Sequence, residues 1–333
     1  MTDWKAWADK VPEMPERERY TATLLLTLSR ILETAPFDWA LAGGTALQSF
    51  FDEALRRYSS DVEITTKASK AEVSTWMKSQ GWPPEPVGNA NILKAALTPD
   101  GTLFVIHSYD PTGFAATEPT KQPFRHFPVK ATPPPGQLTI PILDYDFLIA
   151  AKIWEIRKPG RGGERFKDAH DLSLGLPKCK PKRVHEKLVA YLKIRGDKGT
   201  ATETVRAAGA WIQHFQGAGK AAYKAWQPQY LNEPDHHGID EGLANALRVL
   251  TTLHGGPIAA TASEQRRFLL ADVTPKQLAP IATKLGWTKP HQYENMRDHV
   301  ASAAFSGLAG PAPTTTEGLV QELEALVKAR KPQ

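Results

Sequence analysis

"LAGGTALQSFFDEALRRYSSDVEI", residues 41–64, decides the fold. Gly43 and Gly44 stand where the apolar stretch "DWALAGG" hands over to helix-spaced apolar residues, and two acids, Asp61 and Glu63, follow one residue apart. A residue without Cβ lets a ligand approach the backbone closely. The amides of a helix start, together with Thr45, would then face an anionic group. In a strand, Asp61 and Glu63 point to one face, while Val62 and Ile64 point to the other, toward the core. Two carboxylates on one sheet face repel each other unless something positive lies between them. The simplest candidate is a divalent ion that prefers hard oxygen ligands, Mg²⁺ or Mn²⁺, bound in company with a nucleotide's phosphates. Taken alone, an Asp-x-Glu pair on an exposed strand face is more often only solvated.

Working outward, residues 16–34 carry Leu24, Leu25, Leu28, Ile31 and Leu32 at helical spacing and predict an amphipathic helix that ends before Pro36. Leu47, Phe50, Phe51, Ala54 and Leu55 predict a second helix with a core-facing stripe. A further helix is expected near residues 70–80, then two strands within "NILKAALTPDGTLFVIHSY" around an Asp-Gly turn. The proline-rich segment 111–141 reads as an ordered loop or crossover. Helix returns in "LDYDFLIAAKIWEIRK", where Asp144 could cap the N-terminus. Beyond residue 173 the pattern is nearly all helical: 181–194, 201–225, 239–253, 275–285 and the final "TTEGLVQELEALVKA". In the helix near 275, Thr274 is the cap and Pro280 should kink or shorten it. The expected fold is α/β with a mixed sheet over residues 1–175, followed by a mainly α-helical C-terminal domain over 176–333.

Composition agrees with a folded chain. Hydrophobic residues make up 41% and charged residues 23% of the 333, enough apolar material for a core and too little charge imbalance for disorder. The single cysteine, Cys179, excludes an internal disulfide framework and a cysteine-rich zinc site, and fits a reducing compartment. No apolar run approaches the roughly 20 residues of a membrane span, and "MTDWKAWADKVPEMPERERY" lacks a signal-peptide core, so no membrane partner is expected and the cytosol is the expected compartment. A net charge of +5 is compatible with a polyanionic partner without requiring one.

A glycine turn, a helix and then an acid-x-acid strand form the N-terminal layout of the nucleotidyltransferase superfamily. "LAGGTAL", followed by "RYSSDVEI" with Arg57, Ser59 and Asp61 in the order Arg-x-Ser-x-Asp, resembles the AbiEii/AbiGii-type nucleotidyltransferases, among them the MenT-like toxins of type IV toxin–antitoxin pairs. A second block, "LDYDFLIAAKIWEIRKPGRGGERFKDAHDL", is similar to that family's helix bearing a lysine (Lys152), an arginine five residues later (Arg157), a short basic loop and a closing Asp-x-x-Asp-Leu (Asp168, Asp171). The resemblance covers about residues 20–173. It implies an NTP bound at Gly43, Gly44 and Thr45 with Arg57 and Ser59, metal held by Asp61 and Glu63, Lys152 on the phosphates, and Asp168 and Asp171 positioning the lysine, the metal or the nucleotide. It further implies NMP transfer to an RNA acceptor, the tRNA 3′ end in particular, by a toxin of a toxin–antitoxin or phage-defence system with a cognate antitoxin as partner. Alternatives are NMP transfer to a protein hydroxyl, and a degenerate nucleotide-binding or interaction module without turnover.

Lys152 lies among Leu148, Ile149 and Ile156 at helical spacing. A lysine on that face snorkels to solvent, reaches the triphosphate or pairs with acids. Lys158, Arg161 and Arg165 around three glycines suit phosphate contact or a solvated turn equally. The superfamily layout supplies a third acid from a later strand, yet "TLFVIHSYD" offers His107 within it and Asp110 only at its end. Asp110 is the third ligand, or two carboxylates with nucleotide oxygens suffice, or activity is weakened. "DHHGIDE" (235–241) holds metal-capable groups that a loop before a helix also explains. "KCKPKRVHEK" (178–187), with Trp211, Trp226 and Tyr230, could form a groove for RNA, although a solvated face is the commoner outcome. "VTPKQLAPIATKLGW" (273–287) is similar to the first half of a helix-turn-helix, which "TKPHQYEN" does not continue.

Overall fold

The computed structural model describes residues 4–59, 61–87, 91–97, 103–157, 162–232, 238–288 and 293–329. In chain order the elements begin with α1 (Trp4–Ala8), α2 (Glu16–Thr34), β1 (Trp39–Leu41), α3 (Gly43–Gln48), β2 (Asp61–Thr66) and α4 (Lys70–Ser79). There follow β3 (Glu85–Pro86), β4 (Ile92–Ala96), β5 (Leu103–Ser108), α5 (Pro111–Ala116), β6 (Thr120–Pro123), β7 (Thr139–Ile142) and α6 (Tyr145–Ile156). Helices complete the chain: α7 (Gly162–Gly175), α8 (Pro181–Ile194), α9 (Ala201–Gln216), α10 (Lys220–Tyr230), α11 (Ile239–His254), α12 (Ala262–Asp272), α13 (Pro275–Lys284), α14 (Tyr293–Ala304) and α15 (Thr316–Ala329). The architecture is mixed α/β with a mainly helical C-terminal part, as the sequence predicts.

Two compact units interleave along the chain. The first comprises residues 1–151, 178–198 and 224–239, and the second 152–177, 199–223 and 240–333.

The first unit holds one seven-stranded sheet in the order β3-β4-β5-β2-β1-β7-β6. β2 pairs parallel with β5 and antiparallel with β1, and β1 pairs parallel with β7, so the sheet is mixed. Val62 and Ile64 of β2 and Phe104 and Ile106 of β5 share its buried face, each with no exposure. Leu24, Leu25, Leu28 and Ile31 of α2, and Val73 and Met77 of α4, are buried in the same unit, as the helical spacing of those apolar residues requires.

Three expectations give way to the structure. The helix expected through Leu55 stops at Gln48, and a 3₁₀ turn over Glu53–Leu55 follows. The antiparallel pairing of β1 with β2 is the reason, since the chain must reverse between Leu41 and Asp61. Of the proline-rich segment 111–141, expected as a loop or crossover, Pro111–Ala116 form α5 and the β6–β7 pair takes its ends, while 124–138 holds no helix or strand. Prolines are tolerated there because β6 is the last strand of the sheet and Pro123 closes it. Helix 201–225 divides at Gly217 into α9 and α10. Pro280 does not shorten α13, which runs on to Lys284. The Asp-Gly turn at 98–102 and the loop 233–237 lie outside the described residues.

The second unit is helical. Thr200, Thr261 and Thr274 each cap a helix reciprocally with the Glu or Gln three residues on. α12 to α15 share one core that includes Leu270, Leu278, Ile281, Val300, Leu319 and Leu323. Arg266, 2% exposed, reaches Glu322 with two nitrogens, at 2.9 and 2.7 Å. That charge-assisted fork ties α12 to α15.

Candidate active site

In the first unit, alternation along β2 sets Asp61, Glu63 and Thr65 on the face opposite Val62 and Ile64. Asp61 is exposed and Glu63 half-buried. The amide of Ala42 donates to the Glu63 carbonyl at 2.7 Å, and Thr45 Oγ1 donates to the Asp61 carbonyl at 2.6 Å. These bonds fix the start of α3 beside the acid-bearing strand. Thr45, expected to face an anionic group, donates its hydroxyl proton to the strand backbone.

Gly43 adopts φ +67°, in the left-handed region, and a Cβ at that position would overlap Glu63 Oε2. A Cβ at Gly44 would overlap Arg57 Nη2. Gly43 is favoured there by its left-handed backbone, whereas at Gly44 only the tip of the Arg57 side chain would have to move. Arg57 is buried, its amide donates to Gln48 Oε1 at 2.9 Å, and it forms an isolated antiparallel bridge with Leu231. Ser59 is half-buried two residues before Asp61.

The site's remaining partners come from β5 and the end of α8. Thr65 and His107 are register partners, so His107 shares the face that carries Glu63. His107 Nε2 lies 2.8 Å from Glu63 Oε1, and Arg195 Nη1 lies 3.3 Å from His107 Nδ1. Asp110 is not brought to the acids, which corrects its candidacy as a third ligand. Asp61 pairs with Leu103, and Asp110 lies seven residues further along, about 20 Å at strand rise. Its Oδ1 instead accepts from the Gly113 amide at 2.7 Å and caps α5. Among the described residues no group of three or more His, Cys, Asp or Glu could hold a metal ion. Two carboxylates still suit a hard cation that keeps several waters and shares phosphate oxygens, the ordinary mode for Mg²⁺.

The second unit holds Lys152, Asp168 and Asp171 together. Lys152 Nζ lies 2.8 Å from Asp168 Oδ1 and 3.2 Å from Asp171 Oδ2. The lysine side chain is 13% exposed, that of Asp168 8% and that of Asp171 0%. Asp168 and Asp171 sit three apart on α7 and so share a face. Of the three roles open to Lys152 from its spacing, pairing with acids is the one present. The Arg157 guanidinium stands 5.2 Å from the Trp154 ring centre, a cation–π contact. Lys158, Arg161 and the side chain of Arg165 lie outside the described residues, as do Asp235, His236 and His237.

Elsewhere in the first unit, Arg183 pairs with Glu118, Asp144 and Asp146, at 2.7, 2.8 and 2.8 Å. Lys187 bonds Glu118 at 2.7 Å, and its ammonium holds that carboxyl below the usual range. Two cations of the 178–187 cluster are therefore used within the fold. Cys179 is half-buried, and loss of solvation pushes its thiol up, with Asp146 and Asp144 adding to the effect. Asp144 caps α6 as its position suggests, accepting from the Phe147 amide at 3.1 Å.

Sequence reasoning missed Arg195 entirely and left the role of His107 open. Only the β2–β5 register and the placement of α8 bring them to Glu63. No family model matches this sequence, and no curated protein matches it. Among solved structures the chain is similar to MenT4, a nucleotidyltransferase toxin from Mycobacterium tuberculosis, at 14% identity and a TM-score of 0.42, over 80% of this chain and 92% of that one.

Proposed function

We propose that the protein is a metal-dependent nucleotidyltransferase that transfers NMP from an NTP to an RNA hydroxyl, the tRNA 3′ end in particular, and that it acts as the toxin of a toxin–antitoxin pair. The observation that carries this reading is the pairing of Asp61 and Glu63 on one sheet face beside the Gly43–Gly44 turn. In that layout the hard cation, Mg²⁺ or Mn²⁺, would be held by Asp61 and one oxygen of Glu63, and would supply neutralisation of phosphate charge. The reaction is in-line attack of the acceptor hydroxyl on the α-phosphate with pyrophosphate leaving. Asp61 is exposed at the start of β2. For Lys152, Arg157, Asp168 and Asp171 the resemblance implies nucleotide-binding roles. The mild positive charge suits an RNA acceptor.

A second reading, a nucleotide-binding module without turnover, is favoured by one observation: the face of β5 beside Glu63 carries Leu103, Val105 and His107 and no acid. Incubation of the purified protein with each α-labelled NTP, Mg²⁺ or Mn²⁺ and total RNA separates the two. Label in RNA is the expected result. Label in protein would assign the acceptor to a protein hydroxyl, and absence of label under every condition would favour the module.

A further inference from the structure

We infer that the outer face of α8 is the docking track for the RNA strand whose end reaches Asp61 and Glu63, its phosphates meeting Lys178, Lys180, Lys182 and Lys193. This deepens the proposed function and rests on it, since it gives the RNA acceptor a place on the molecule. The helix belongs to the first unit, as the two acids do. Its buried side carries Val184, Leu188, Tyr191 and Leu192. Its outer side carries Lys182, Glu186, Val189 and Lys193, all exposed, at the spacing of one helical stripe. Lys178 and Lys180, also exposed, precede the helix.

Pairing and position set these lysines apart from an ordinary solvated face. Among the described residues, Lys180, Lys182 and Lys193 form no ion pair. Three acids that meet α8, Glu118, Asp144 and Asp146, are engaged by Arg183 and Lys187. The stripe itself holds one acid, Glu186. Arg195, just beyond Lys193, brings Nη1 to 3.3 Å from His107 Nδ1, and His107 Nε2 lies 2.8 Å from Glu63 Oε1. The C-terminal end of α8 therefore abuts the sheet face that carries the acids. From Lys193 the helix runs back to Lys182 over about 16 Å at helical rise. A strand ending at the acids is repelled by them and by the carbonyl end of the helix, and Lys193 in the last turn offsets both. Lysine ammoniums are point charges without a planar fork, so the track reads backbone charge and not sequence. Trp211 and Trp226, expected to line a groove with this cluster, are buried, so the track is electrostatic and not aromatic.

Fluorescence anisotropy of end-labelled tRNA, titrated with the full-length protein across a salt series without NTP, tests the track. Each phosphate contact contributes about 0.7 to 0.9 to the slope of log K against log salt, so Lys182→Gln/Lys193→Gln should lower that slope by about 1.4 to 1.8. Affinity near 0.1 M salt should fall by about tenfold or more. Both side chains are exposed, so the melting temperature should hold. The control is Lys70→Gln/Lys78→Gln on α4, whose Trp76 packs on Phe104 across the sheet from the acids. It removes the same charge and should leave slope and affinity unchanged. An equal loss in the control would show that binding follows total charge, and would overturn the track. Unchanged slope and affinity in the α8 variant, or a wild-type protein that binds no tRNA, would overturn it as well. Label transfer separates this inference from the reading it rests on. In the α8 variant KM for tRNA should rise with kcat little changed. Transfer by wild type with an unaltered KM in the variant would overturn the track while the function stands. Binding of tRNA that depends on Lys182 and Lys193, without transfer under any condition, would support the track while the proposed turnover fails.

Discussion

The carboxylate of Glu63 lies so close over Gly43 that a single added methyl group would strike its Oε2. Gly43 also holds φ +67°. A non-glycine residue pays about 1–2 kcal/mol in that region. Gly43→Ala should therefore lower stability by about 2 kcal/mol in urea denaturation, and it should also weaken any property that depends on where Glu63 points. Stability within about 0.5 kcal/mol of wild type, inside the range of neutral surface changes, would show that the turn relaxes freely.

Asp61 is exposed and bears on the site through its side chain, while its carbonyl serves Thr45. Asp61→Asn should keep the melting temperature or raise it, because repulsion with Glu63 is relieved. NMP transfer should drop by about a hundredfold or more, since a lost metal ligand removes several kcal/mol of transition-state stabilisation. A folded Asp61→Asn protein with normal label transfer would remove the metal site.

Lys152 holds two acids that have almost no access to water. Removing the cation from such a group costs about 3–5 kcal/mol, because uncompensated buried charge is left behind. Lys152→Met should destabilise by roughly that amount, and adding Asp171→Asn should recover a large part. The double-mutant cycle is read by denaturation. Equal stability of wild type and Lys152→Met would mean that water reaches the acids.

Asp110 caps α5 through the Gly113 amide. Asp110→Ala should cost about 1 kcal/mol, and Asp110→Asn almost nothing, because asparagine caps as well as aspartate. NMP transfer should survive both. Loss of transfer in the asparagine variant with stability intact would return Asp110 to the list of reacting groups.

Burial holds the imidazole of His214 below its ordinary 6.5, with Asp272 opposing that effect weakly. His214 stacks on Phe268 at 4.8 Å between ring centres. A depressed folded-state value means that the unfolded chain binds the proton first. Stability from this group is complete above pH 6.5 and is lost as the pH falls below it. His214→Phe should lose less stability than wild type between about pH 7 and 5 in urea titrations. His126, likewise lowered by burial, leaves a residual slope.

What the sequence made legible is what local spacing determines. Alternation in "DVEI" places acids and aliphatics on opposite faces, and Thr274 announces the start of α13. The stripe from Leu47 to Leu55 misleads because tertiary reversal of the chain overrides helical periodicity. The β6–β7 pair hides behind prolines that an edge tolerates. His107 and Arg195 stand 88 residues apart, and nothing local in either segment signals that they meet. Asp110 looked like a ligand because the superfamily layout supplies a third acid from a later strand, yet an aspartate before Pro-Thr-Gly is equally a cap.

The interleaving of the two units has a consequence for the order in which a ribosome delivers the chain. All seven strands have been synthesised by residue 142, but the first unit still lacks 178–198 and 224–239. Arg195 reaches His107 only with the former segment, and Leu231 and Asn232 reach Arg57 and Arg56 only with the latter. A nascent chain of about 175 residues therefore carries the acids and glycines of the candidate site without the groups that hold them in place. Folding of this unit must wait for late-arriving sequence, and fragments cut before residue 239 should be protease-sensitive rather than autonomous.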